Sequence, residues 1–393
     1  MNLGRELVGL ERFEPVLDAL PGPAYLVGGT VRDLLLGTPP RFDFDLAVVG
    51  DAPAFAEELA RRLTGRTTTH GRFGTATVHY ADGAHVDVAT ARTETYSAGG
   101  ALPDVAPATS IEEDLARRDF TVNAIAVSLP DGDVVDPHQG IEHLRDRLVR
   151  VLHERSFVDD PTRIFRAARY ETRLGFRMDP KTETLALISV PDVARLSGAR
   201  VREELYAIFG EADPEAALAR LRALGVDDAL GVEFGPPGLQ PRLRELSARY
   251  RLSEPLWHLG LLSIRAPAGR LDEWKVSRRI AESVEAAHRE EPLLRERVTA
   301  ARTPADVVRA VEETGPDTPL YTLAVADLPA LEPYFDRLRD VRLELDGDDL
   351  AALGLGESPR VGEVLEELRR RKLNGELTSR ADELAAAREL IAE

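Results

Sequence analysis

The sequence predicts an α+β fold with a mixed amino-terminal part and a helical remainder. Over residues 1–140, alternating apolar and polar segments typical of strands lie between segments with helical spacing. From residue 141 onward, nearly every segment has the apolar spacing of an amphipathic helix, and Pro and Gly separate these segments. We predict a head at 1–140, a helical neck at 141–213, a helical body at 214–340 and a helical tail at 341–393.

Composition limits the class of protein. The chain contains no cysteine, which excludes disulfides, thiolate zinc sites and cysteine nucleophiles. The first residues carry acidic side chains without a long apolar core, and no stretch approaches the roughly 20 apolar residues of a membrane span. We therefore expect a cytoplasmic protein with no membrane partner. The net charge of −18 disfavours a broad nucleic-acid-binding surface, although basic residues collected in one groove would still bind RNA.

The elements of the head follow in order. The segment PAYLVGG (23–29) predicts a buried strand that ends at a glycine pair, and a helix-like segment follows from Thr30. The segment DAPAFAEELARRLTG (51–65) predicts a capped amphipathic helix. Two alternating strands, TATVHY (75–80) and HVDVATAR (85–92), are separated by a predicted turn at 81–83.

The most informative stretch runs from residue 26 to 48. Gly28 and Gly29 end an apolar run, and Asp43 and Asp45 stand one residue apart after the helix-like segment. On a strand, Asp43 and Asp45 point to the same face. Neighbouring carboxylates repel each other unless a cation lies between them, and Mg²⁺ takes carboxylate and phosphate oxygens together. Backbone N–H groups at the glycine pair suit a phosphate, so the stretch predicts a site for a metal-bound nucleoside triphosphate.

This stretch resembles a known family. The pattern GG-x-VRD-x-LLG followed by D-x-D is similar to the catalytic head of class II tRNA nucleotidyltransferases and bacterial poly(A) polymerases, in the polymerase-β-like nucleotidyltransferase superfamily. The resemblance implies a head with a small mixed or antiparallel sheet and Mg²⁺ as cofactor. It implies that Asp43 and Asp45 hold the metal. The residues that it assigns to the triphosphate are Gly28, Gly29, Arg32 and Asp33.

A two-metal nucleotidyl transfer needs a further carboxylate near the attacking 3′-hydroxyl. Asp87 is our candidate, because Val86 and Val88 are expected to face the core and leave Asp87 on the opposite face. A neighbouring strand would then present Asp43 and Asp45 beside it. In the wider superfamily a later strand supplies this acid. The alternative is a solvent-facing strand residue.

A second motif, DLARRDFTVNAIAV (114–127), is similar to the family pattern RRDFT-x-NA. Arg118 and the preceding arginine offer guanidinium donors suited to phosphate. Asp119 can accept a hydrogen bond from a ribose hydroxyl, and Asn123 would share its face if the segment is helical. The resemblance implies contact with the sugar and triphosphate of the incoming nucleotide. The alternative is an Arg–Asp surface pair that caps a helix.

A third motif, FVDDPTRIFRAARYETRLGF (157–176), predicts a helix with Asp160 as N-cap and a proline as its first residue. Arg163, Arg166 and Arg169 recur every three residues as a basic ridge. The segment resembles the family motif E/D-D-x-x-R, which implies that Asp160 and Arg163 read the base of the incoming nucleotide. An acceptor and a donor suit the Watson–Crick edges of cytosine and adenine and reject uracil and guanine, without deciding between C and A.

Three further segments bear on substrate choice. Residues 92–115 resemble a loop that permits the switch from CTP to ATP in relatives, and its full length makes a CC-only enzyme the least expected option. Residues 345–384 resemble the tail that contacts the tRNA elbow. Residues 196–209 resemble the helix after the base-reading motif, where Arg202 and Glu203 either brace that motif or form a solvated face.

The sequence thus predicts a tRNA 3′-terminal nucleotidyltransferase that adds CCA, or only the final A, from CTP and ATP. The tRNA partner would place its acceptor stem in the cleft between head and neck. A poly(A) polymerase is the nearest alternative, although the acidic last helix (ADELAAARELIAE) favours a compact tRNA-sized partner. The same motifs also fit an A-adding specialist that works beside a separate CC-adding enzyme, and a non-catalytic tRNA-binding relative. The oligomeric state is left open.

Overall fold

The structure is a computed structural model that describes residues 1–10, 12–38, 44–70, 74–96, 100, 102–356 and 358–392. The chain divides into two compact units. The first unit comprises residues 1–204 and 211–230, and the second comprises residues 205–210 and 231–393. The predicted division into head, neck, body and tail stays a prediction.

The first unit contains a mixed β-sheet. Its strand order is β3-β4-β5-β2-β1-β8-β9, in which β2 and β5 are parallel and the other neighbours are antiparallel. Strands β6 and β7 form a separate antiparallel ladder, and β10 and β11 form a short parallel one. This confirms the predicted mixed sheet. The strands of the first unit are β1 (Ala24–Val27), β2 (Phe44–Val48), β3 (Arg66–His70), β4 (Thr75–His79), β5 (His85–Thr90), β6 (Arg92–Thr95), β7 (Asp104–Pro107), β8 (Ala126–Leu129), β9 (Val134–Val135), β10 (Leu148–Val149) and β11 (Arg177–Met178).

Helices surround this sheet and follow it along the chain. Residues 198–204 of α10 belong to the first unit, and the rest of that helix belongs to the second. Short 3₁₀ turns lie at 81–83, 121–123 and 190–195. The helices up to residue 230 are α1 (Gly4–Val8), α2 (Glu14–Ala19), α3 (Gly29–Leu35), α4 (Ala52–Arg62), α5 (Ile111–Ala116), α6 (Gly140–Arg145), α7 (Ser156–Asp159), α8 (Thr162–Leu174), α9 (Pro180–Ser189), α10 (Gly198–Phe209), α11 (Pro214–Leu224) and α12 (Val226–Leu230).

Polar side chains set the starts of these helices. Asp51 accepts a hydrogen bond from the backbone N–H of Ala54 (3.1 Å) and caps α4, as predicted. Asp136 accepts from the N–H groups of Gly140 and Ile141 (2.7 and 2.9 Å), the first two residues of α6. A helix therefore begins near residue 140, where the change to helical spacing was predicted.

The core of the first unit lies against both faces of the central strands. On one face, α5 packs through Ile111 and Leu115 on Val27, Ala47 and Ala126. The opposite face holds further fully buried apolar side chains, and α4 packs on the strands of that part of the sheet. The alternation of buried residues leaves polar side chains of β2 and β5 at one end of the sheet, where the candidate site lies.

The second unit is almost entirely helical, as predicted, with one dipeptide ladder between β12 and β13. The last three helices of this unit enclose their own buried cluster of leucine, valine and alanine side chains. Among the residues that the structure describes, no helix combines the length and the apolar character needed to cross a membrane. The elements of the unit are β12 (Glu233–Phe234), α13 (Leu239–Arg249), α14 (Leu256–Leu262), β13 (Ile264–Arg265), α15 (Arg270–Glu273), α16 (Arg278–Ala300), α17 (Pro304–Glu312), α18 (Thr318–Ala326), α19 (Glu332–Asp336), α20 (Gly347–Ala352), α21 (Pro359–Leu373) and α22 (Arg380–Ala392).

A buried histidine joins three helices of this unit. The Nε2 atom of His258 lies 2.8 Å from Asp317, and its Nδ1 atom lies 2.9 Å from Glu254. Ser283 donates a further hydrogen bond to Asp317 (2.6 Å). Burial opposes the charged imidazole, but the hydrogen bond and charge of Asp317, with the charge of Glu254, outweigh it and raise the pKa of His258. The two carboxylates therefore favour the charged form of His258.

This arrangement predicts a pH-dependent free energy of unfolding. A histidine whose folded-state pKa is raised stabilises fully below its unfolded pKa of about 6.5 and loses that contribution as the pH rises through the folded value. We expect the free energy of unfolding in urea to fall as the pH rises above about 6.5, and His258→Gln to lack this component. Identical pH profiles for the two proteins would contradict the assignment. The lowered pKa of Asp317 acts only at acidic pH, outside this window.

Candidate functional site

The first unit contains a cleft of about 710 Å³ at the polar end of its sheet. This volume lies within the range of pockets that bind small molecules of nucleotide size. The cleft is lined by Val27, Gly28, Gly29, Asp45, Leu46, Ala47, Thr75, Ala76, Thr77, Asp87, Val88, Ala89, Arg92, Glu94, Tyr96, Asp114, Arg117, Arg118, Asp119, Asn123, Asp160, Arg163, Arg166 and Tyr170.

Two carboxylates meet on the floor of the cleft. Asp45 on β2 pairs in parallel register with Asp87 on β5, so both side chains point to the same face of the sheet. Val86 and Val88 are fully buried on the other face, as the alternation predicts. Asp43, the other predicted metal ligand, lies outside the described residues. The structure therefore brings together one member of the predicted Asp pair and the predicted later carboxylate.

A threonine that the sequence reasoning missed orients Asp87. Thr77 on β4 is paired with Asp87 across the sheet, and its hydroxyl donates a hydrogen bond of 2.5 Å to Asp87 Oδ1. The sequence could have predicted the orientation of Thr77, because the alternation of TATVHY places its side chain on the face of the strand that points away from the core. The hydrogen bond fixes the Asp87 carboxylate toward the cleft.

Gly28 keeps the space beside Asp45 open. Its φ is +78°, and a Cβ atom there would lie 3.4 Å from Asp45 Oδ2 and 3.5 Å from Arg118 Nη1. A side chain at this φ is strained, and it would stand between the carboxylate and the guanidinium. The helix α3 begins at the next residue, Gly29. The backbone therefore approaches the cleft closely at the predicted glycine pair.

Arg32 and Asp33 lie behind the cleft wall. The Arg32 side chain is 2% exposed and donates to Asn123 Oδ1 (2.7 Å) and to Asp33 Oδ1 (2.9 Å). Its guanidinium also lies over the ring of Tyr170, 5.5 Å from the ring centroid. Arg32 therefore supports Asn123 and Tyr170, two residues that line the cleft. Contact of Arg32 or Asp33 with a triphosphate stays a prediction.

The segment 117–123 is not one helix. Helix α5 ends at Ala116, and a 3₁₀ turn follows at 121–123. The reason is local, because Asp119 Oδ1 accepts from the backbone N–H of Phe120 (2.8 Å) and from Asn123 Nδ2 (3.0 Å). Asp119 and Asn123 were expected on one face of a helix. The two side chains do form a hydrogen bond, but the backbone between them leads into a 3₁₀ turn and not along a helix.

Asp119 is fully occupied by protein donors. Its Oδ2 atom accepts from Arg166 Nε (2.8 Å) and Nη2 (2.6 Å), in addition to the two donors on Oδ1. Burial alone would raise the pKa of Asp119, but the charge of Arg166 and the hydrogen bonds lower it below its usual value. A carboxylate has about four lone-pair positions, and all are engaged. Asp119 therefore positions Arg166 and Asn123, and its predicted bond to a ribose hydroxyl stays untested.

Removing this carboxylate should destabilise the first unit. We expect Asp119→Ala to lower the free energy of unfolding by about 3 kcal/mol, because it removes a buried carboxylate and leaves the half-buried Arg166 without its partner. Urea denaturation of Asp119→Ala, Arg166→Ala and the double variant measures this. If the ion pair is the cause, the double variant costs less than the sum of the single ones. Strict additivity would contradict the prediction.

Arg117 and Arg118 form ion pairs with two acids that were not predicted from the sequence. Asp114, 1% exposed in its side chain, binds Arg117 (2.8 Å) and Arg118 (3.0 Å). Glu94 on β6 also binds Arg117 (3.1 Å). Burial opposes ionisation of Asp114, but the two guanidinium groups hold its pKa below the usual value. Asp114 lies three and four residues before the two arginines, a spacing that allows ion pairs on a helix, and this spacing could have predicted the contacts.

The predicted base-reading pair lines the cleft. Arg163 is held from behind, since Nη1 donates to the buried Ser156 hydroxyl (2.6 Å) and Nη2 donates to the carbonyl of Arg117 (2.8 Å). Asp160 caps α8 by accepting from the N–H of Thr162 (3.0 Å). The helix begins at Thr162, one residue later than predicted, although Pro161 already has helical dihedral angles.

The three arginines of the predicted basic ridge do not all face the cleft. Arg163 and Arg166 line the cleft, whereas Arg169 lies near Glu204 (3.8 Å) and Glu211 (3.7 Å). Each step of three residues rotates the side chain by about 60°, so Arg169 lies about 120° around the helix from Arg163. Contact of Arg169 with the nucleotide stays a prediction.

Arg202 and Glu203 pair with each other on α10. Arg202 Nη2 donates to Glu203 Oε1 (2.6 Å), and the Glu203 side chain is 67% exposed. Glu203 is therefore solvated, whereas the Arg202 side chain is only 24% exposed. A brace for the base-reading motif stays a prediction. Residues 200 and 204 on the same helix pair with Asp160 and Arg169.

Family models match two segments of the chain. The first, described as the poly A polymerase head domain, matches residues 24–150. The second, described as the probable RNA and SrmB-binding site of polymerase A, matches residues 175–230. The first match contains Asp45, Asp87 and the arginine pair of the cleft.

Relatives cover nearly the whole chain. The A-adding tRNA nucleotidyltransferase of Halalkalibacterium halodurans is 34% identical over 394 positions, which cover 93% of this chain and 88% of the relative. The protein of the same name from Geobacter sulfurreducens is 34% identical over 98% of this chain, and the chain spans about half of its length (47%). The CC-adding tRNA nucleotidyltransferase of Deinococcus radiodurans is 32% identical over 92% of this chain and 88% of the relative.

Solved structures are similar over the full length. A CCA-adding enzyme in complex with ATP superposes with a TM-score of 0.81 at 28% identity and covers 100% of this chain and 99% of its own. The Thermotoga maritima CCA-adding enzyme complexed with tRNA superposes with a TM-score of 0.77 at 29% identity, over 100% of this chain and 98% of its own.

Proposed function

Because this chain belongs to the class II tRNA nucleotidyltransferase family, we propose that its cleft transfers nucleotides from ATP and CTP to the 3′ end of tRNA. The product is the terminal CCA sequence or its final A. The in-register pair of Asp45 and Asp87 carries the proposal, because it places two carboxylates on one face of the sheet. Gly28 lies beside Asp45, and the same cleft contains the predicted base-reading pair.

Nucleotidyltransferases of the polymerase type use a divalent metal, and we assign Mg²⁺ to Asp45 and Asp87, with Asp43 as a further ligand. The donor set fits, since the two carboxylates share one face and the missing side chain of Gly28 leaves room beside Asp45. Carboxylate oxygens suit Mg²⁺, which retains further positions for phosphate oxygens and water. When bound, the ion would neutralise charge on the triphosphate and activate the attacking hydroxyl.

The chain's own residues bind and orient the substrates. The 3′-hydroxyl of the tRNA attacks the α-phosphate of the nucleotide, and pyrophosphate leaves. Arg118 and Arg166 lie at the cleft wall with their charges fixed by Asp114 and Asp119, so both are oriented before a triphosphate enters. Preorganised positive charge of this kind stabilises the charge that develops during phosphoryl chemistry.

Asp160 and Arg163 select the base. In the part of the chain that the structure describes, the hydrogen bonds of the Asp160 carboxylate are all accepted by Oδ1, which leaves Oδ2 for an exocyclic amino group. Arg163 supplies donors to a ring acceptor. Uracil and guanine present a carbonyl where Asp160 requires a donor, and the resulting unpaired group rejects them.

Use of ATP is the better supported half of the proposal. Two relatives that cover more than nine tenths of the chain are named A-adding enzymes, and the segment 92–115 has the length expected of enzymes that accept ATP. CTP is a second candidate, because the similar solved structures include a CCA-adding enzyme in complex with CTP. The tRNA partner would place its acceptor stem in the cleft and its elbow on the tail, at residues 341–393.

Incorporation assays test the proposal. The purified protein is given Mg²⁺, labelled ATP or CTP, and tRNA transcripts that end at the discriminator base or in CC. Single addition of A to the CC-ended tRNA without use of CTP defines an A-adding enzyme, and three additions to the bare tRNA define a CCA-adding enzyme. A long ladder of A would assign a poly(A) polymerase. Absence of incorporation with either tRNA would contradict the proposal.

A further inference from the structure

Tyr170 lies on the face of α8 that forms one wall of the cleft. Arg163, Arg166 and Tyr170 all line the cleft, and their spacing of three and four residues places them along one side of the helix. Tyr170 is only 7% exposed. Phe120 packs edge-on against its ring, with 5.7 Å between the ring centroids. The ring is therefore held in place by packing, while the residue still borders the cleft.

Tyr170 lies between the part of the cleft assigned to the triphosphate and the part assigned to the base. At one end, a Cβ atom on Gly28 would lie 3.5 Å from Arg118 Nη1. The next residue, Asp119, binds Arg166, whose Nη2 atom donates to the Tyr170 hydroxyl (3.3 Å). At the other end, the base-reading arginine lies three residues before Arg166 on α8. Because the ribose joins the base to the phosphates, a nucleotide bound in this way has its ribose beside Arg166 and Tyr170.

The Tyr170 hydroxyl has a hydrogen that the protein does not use. The acceptor positions of Asp119 are engaged, and the Asn123 side chain bonds both to Asp119 (3.0 Å) and to Arg32 (2.7 Å). Arg166 donates to the Tyr170 oxygen, so the O–H bond points away from that guanidinium. Within the described part of the chain, no group accepts a hydrogen bond from Tyr170. The hydroxyl is therefore available as a donor to a substrate atom.

The surroundings of the Tyr170 ring are strongly positive. Four guanidinium groups lie 5.5 to 5.8 Å from the ring centroid, those of Arg32, Arg166, Arg169 and Arg173. Cations near an aromatic ring stabilise its position, and phenylalanine supports the same contacts. A change of Tyr170 to phenylalanine therefore retains the ring and its packing and removes the hydroxyl alone.

We propose that Tyr170 reads the sugar of the incoming nucleotide, by donating a hydrogen bond to the 2′-hydroxyl, and so favours ribonucleotides over deoxyribonucleotides. The 2′-hydroxyl is the group that distinguishes the two classes. Asp119, the candidate for this contact from the sequence, then acts by holding Arg166 beside Tyr170. This inference rests on the proposed function of the cleft and adds the side chain that selects the sugar.

Kinetics with sugar analogues test the inference. For Tyr170→Phe and the unchanged protein, kcat and KM are measured for ATP, 2′-deoxy-ATP and 3′-deoxy-ATP on the CC-ended tRNA. We expect Tyr170→Phe to lower kcat/KM for ATP by about fivefold or more, as loss of one neutral hydrogen bond implies. The value for 2′-deoxy-ATP should stay nearly unchanged, because this analogue lacks the partner hydroxyl. The value for 3′-deoxy-ATP should fall as it does for ATP, because the 2′-hydroxyl is retained.

Controls separate the ways in which the inference can fail. Tyr80→Phe removes a hydroxyl that donates to the carbonyl of Arg12 outside the cleft, and it should change none of the three values. If the unchanged protein incorporates no nucleotide, the proposed function fails and this inference fails with it. If it uses ATP, and Tyr170→Phe lowers the values for ATP and 2′-deoxy-ATP equally or lowers neither, Tyr170 is merely structural and the inference alone is overturned. A fall for 2′-deoxy-ATP but not for 3′-deoxy-ATP would place the bond on the 3′-hydroxyl and would also contradict it.

Discussion

Asp45→Ala is expected to reduce the rate of nucleotide incorporation by about a thousandfold or more, which corresponds to roughly 4 kcal/mol of lost transition-state stabilisation. Asp45 is exposed in the cleft and paired in register with Asp87, so its removal leaves the proposed metal with one described carboxylate. tRNA binding should be nearly unaffected, because RNA affinity depends on phosphate contacts and not on this acid. Single-turnover incorporation and a binding titration measure the two quantities.

Matched variants make this result specific. Asp87→Ala should show a loss of similar size, since both carboxylates lie on the same face of the sheet. Asp18→Ala removes an exposed acid from α2, outside the residues that line the cleft, and should leave the rate unchanged. Incorporation by Asp45→Ala at close to the original rate would show that the metal is bound elsewhere.

Asp160→Ala is expected to reduce discrimination between ATP and UTP by about a hundredfold, because rejection by an unpaired buried polar group is lost together with the acceptor. The rate with ATP should also fall, and the rate with UTP should fall less. Competition between labelled nucleotides on the CC-ended tRNA measures the ratio directly. Asp104→Ala, an exposed acid on β7, is the control.

A second variant separates the role of Asp160 in base selection from its role at the start of α8. Asp160 also caps α8 through the N–H of Thr162, so some loss of stability is expected. Asp160→Asn retains the cap oxygen and replaces the acceptor at Oδ2 by a donor. Unchanged selectivity in both variants would contradict the assignment of Asp160 to the base.

The parts of the site that follow local rules were predictable. Alternation along a strand was enough to place Val86 and Val88 in the core and Asp87 on the other face. Helical periodicity and capping residues predicted α4 and the helical remainder of the chain. These features depend on residues close in sequence, so they can be predicted without knowledge of the fold.

The parts that depend on distant contacts were not predictable in this way. That Asp45 lies near Asp87 was expected, but the register that pairs them directly joins strands that are far apart in sequence. The burial of Arg32 follows from its bond to Asn123, which is 91 residues away. Arg200 contacts the carbonyl of Gly100 and the carboxylate of Asp160, and neither contact was predicted from the sequence.

In the segment 114–127, side-chain hydrogen bonds and not helical periodicity bring two predicted residues together. The spacing of Asp119 and Asn123 suggested one helical face, and the two residues do touch. The contact arises because Asp119 bonds to the backbone and to Asn123 and ends the helical pattern. The same bonds, with those from Arg166, use the acceptor capacity that the sequence analysis had assigned to a ribose hydroxyl.

A crystal structure of the protein with Mn²⁺ and a non-hydrolysable ATP analogue would test the central claim most directly. Mn²⁺ replaces Mg²⁺ at carboxylate sites and is located by its anomalous scattering. We predict an anomalous peak at the carboxylates of Asp45 and Asp87, the triphosphate beside Gly28 and the adenine edge at Asp160 and Arg163. Glu254, His258 and Asp317 are another group of side chains close enough to hold a metal ion. A peak only at that group, or an analogue bound outside the cleft, would contradict the account.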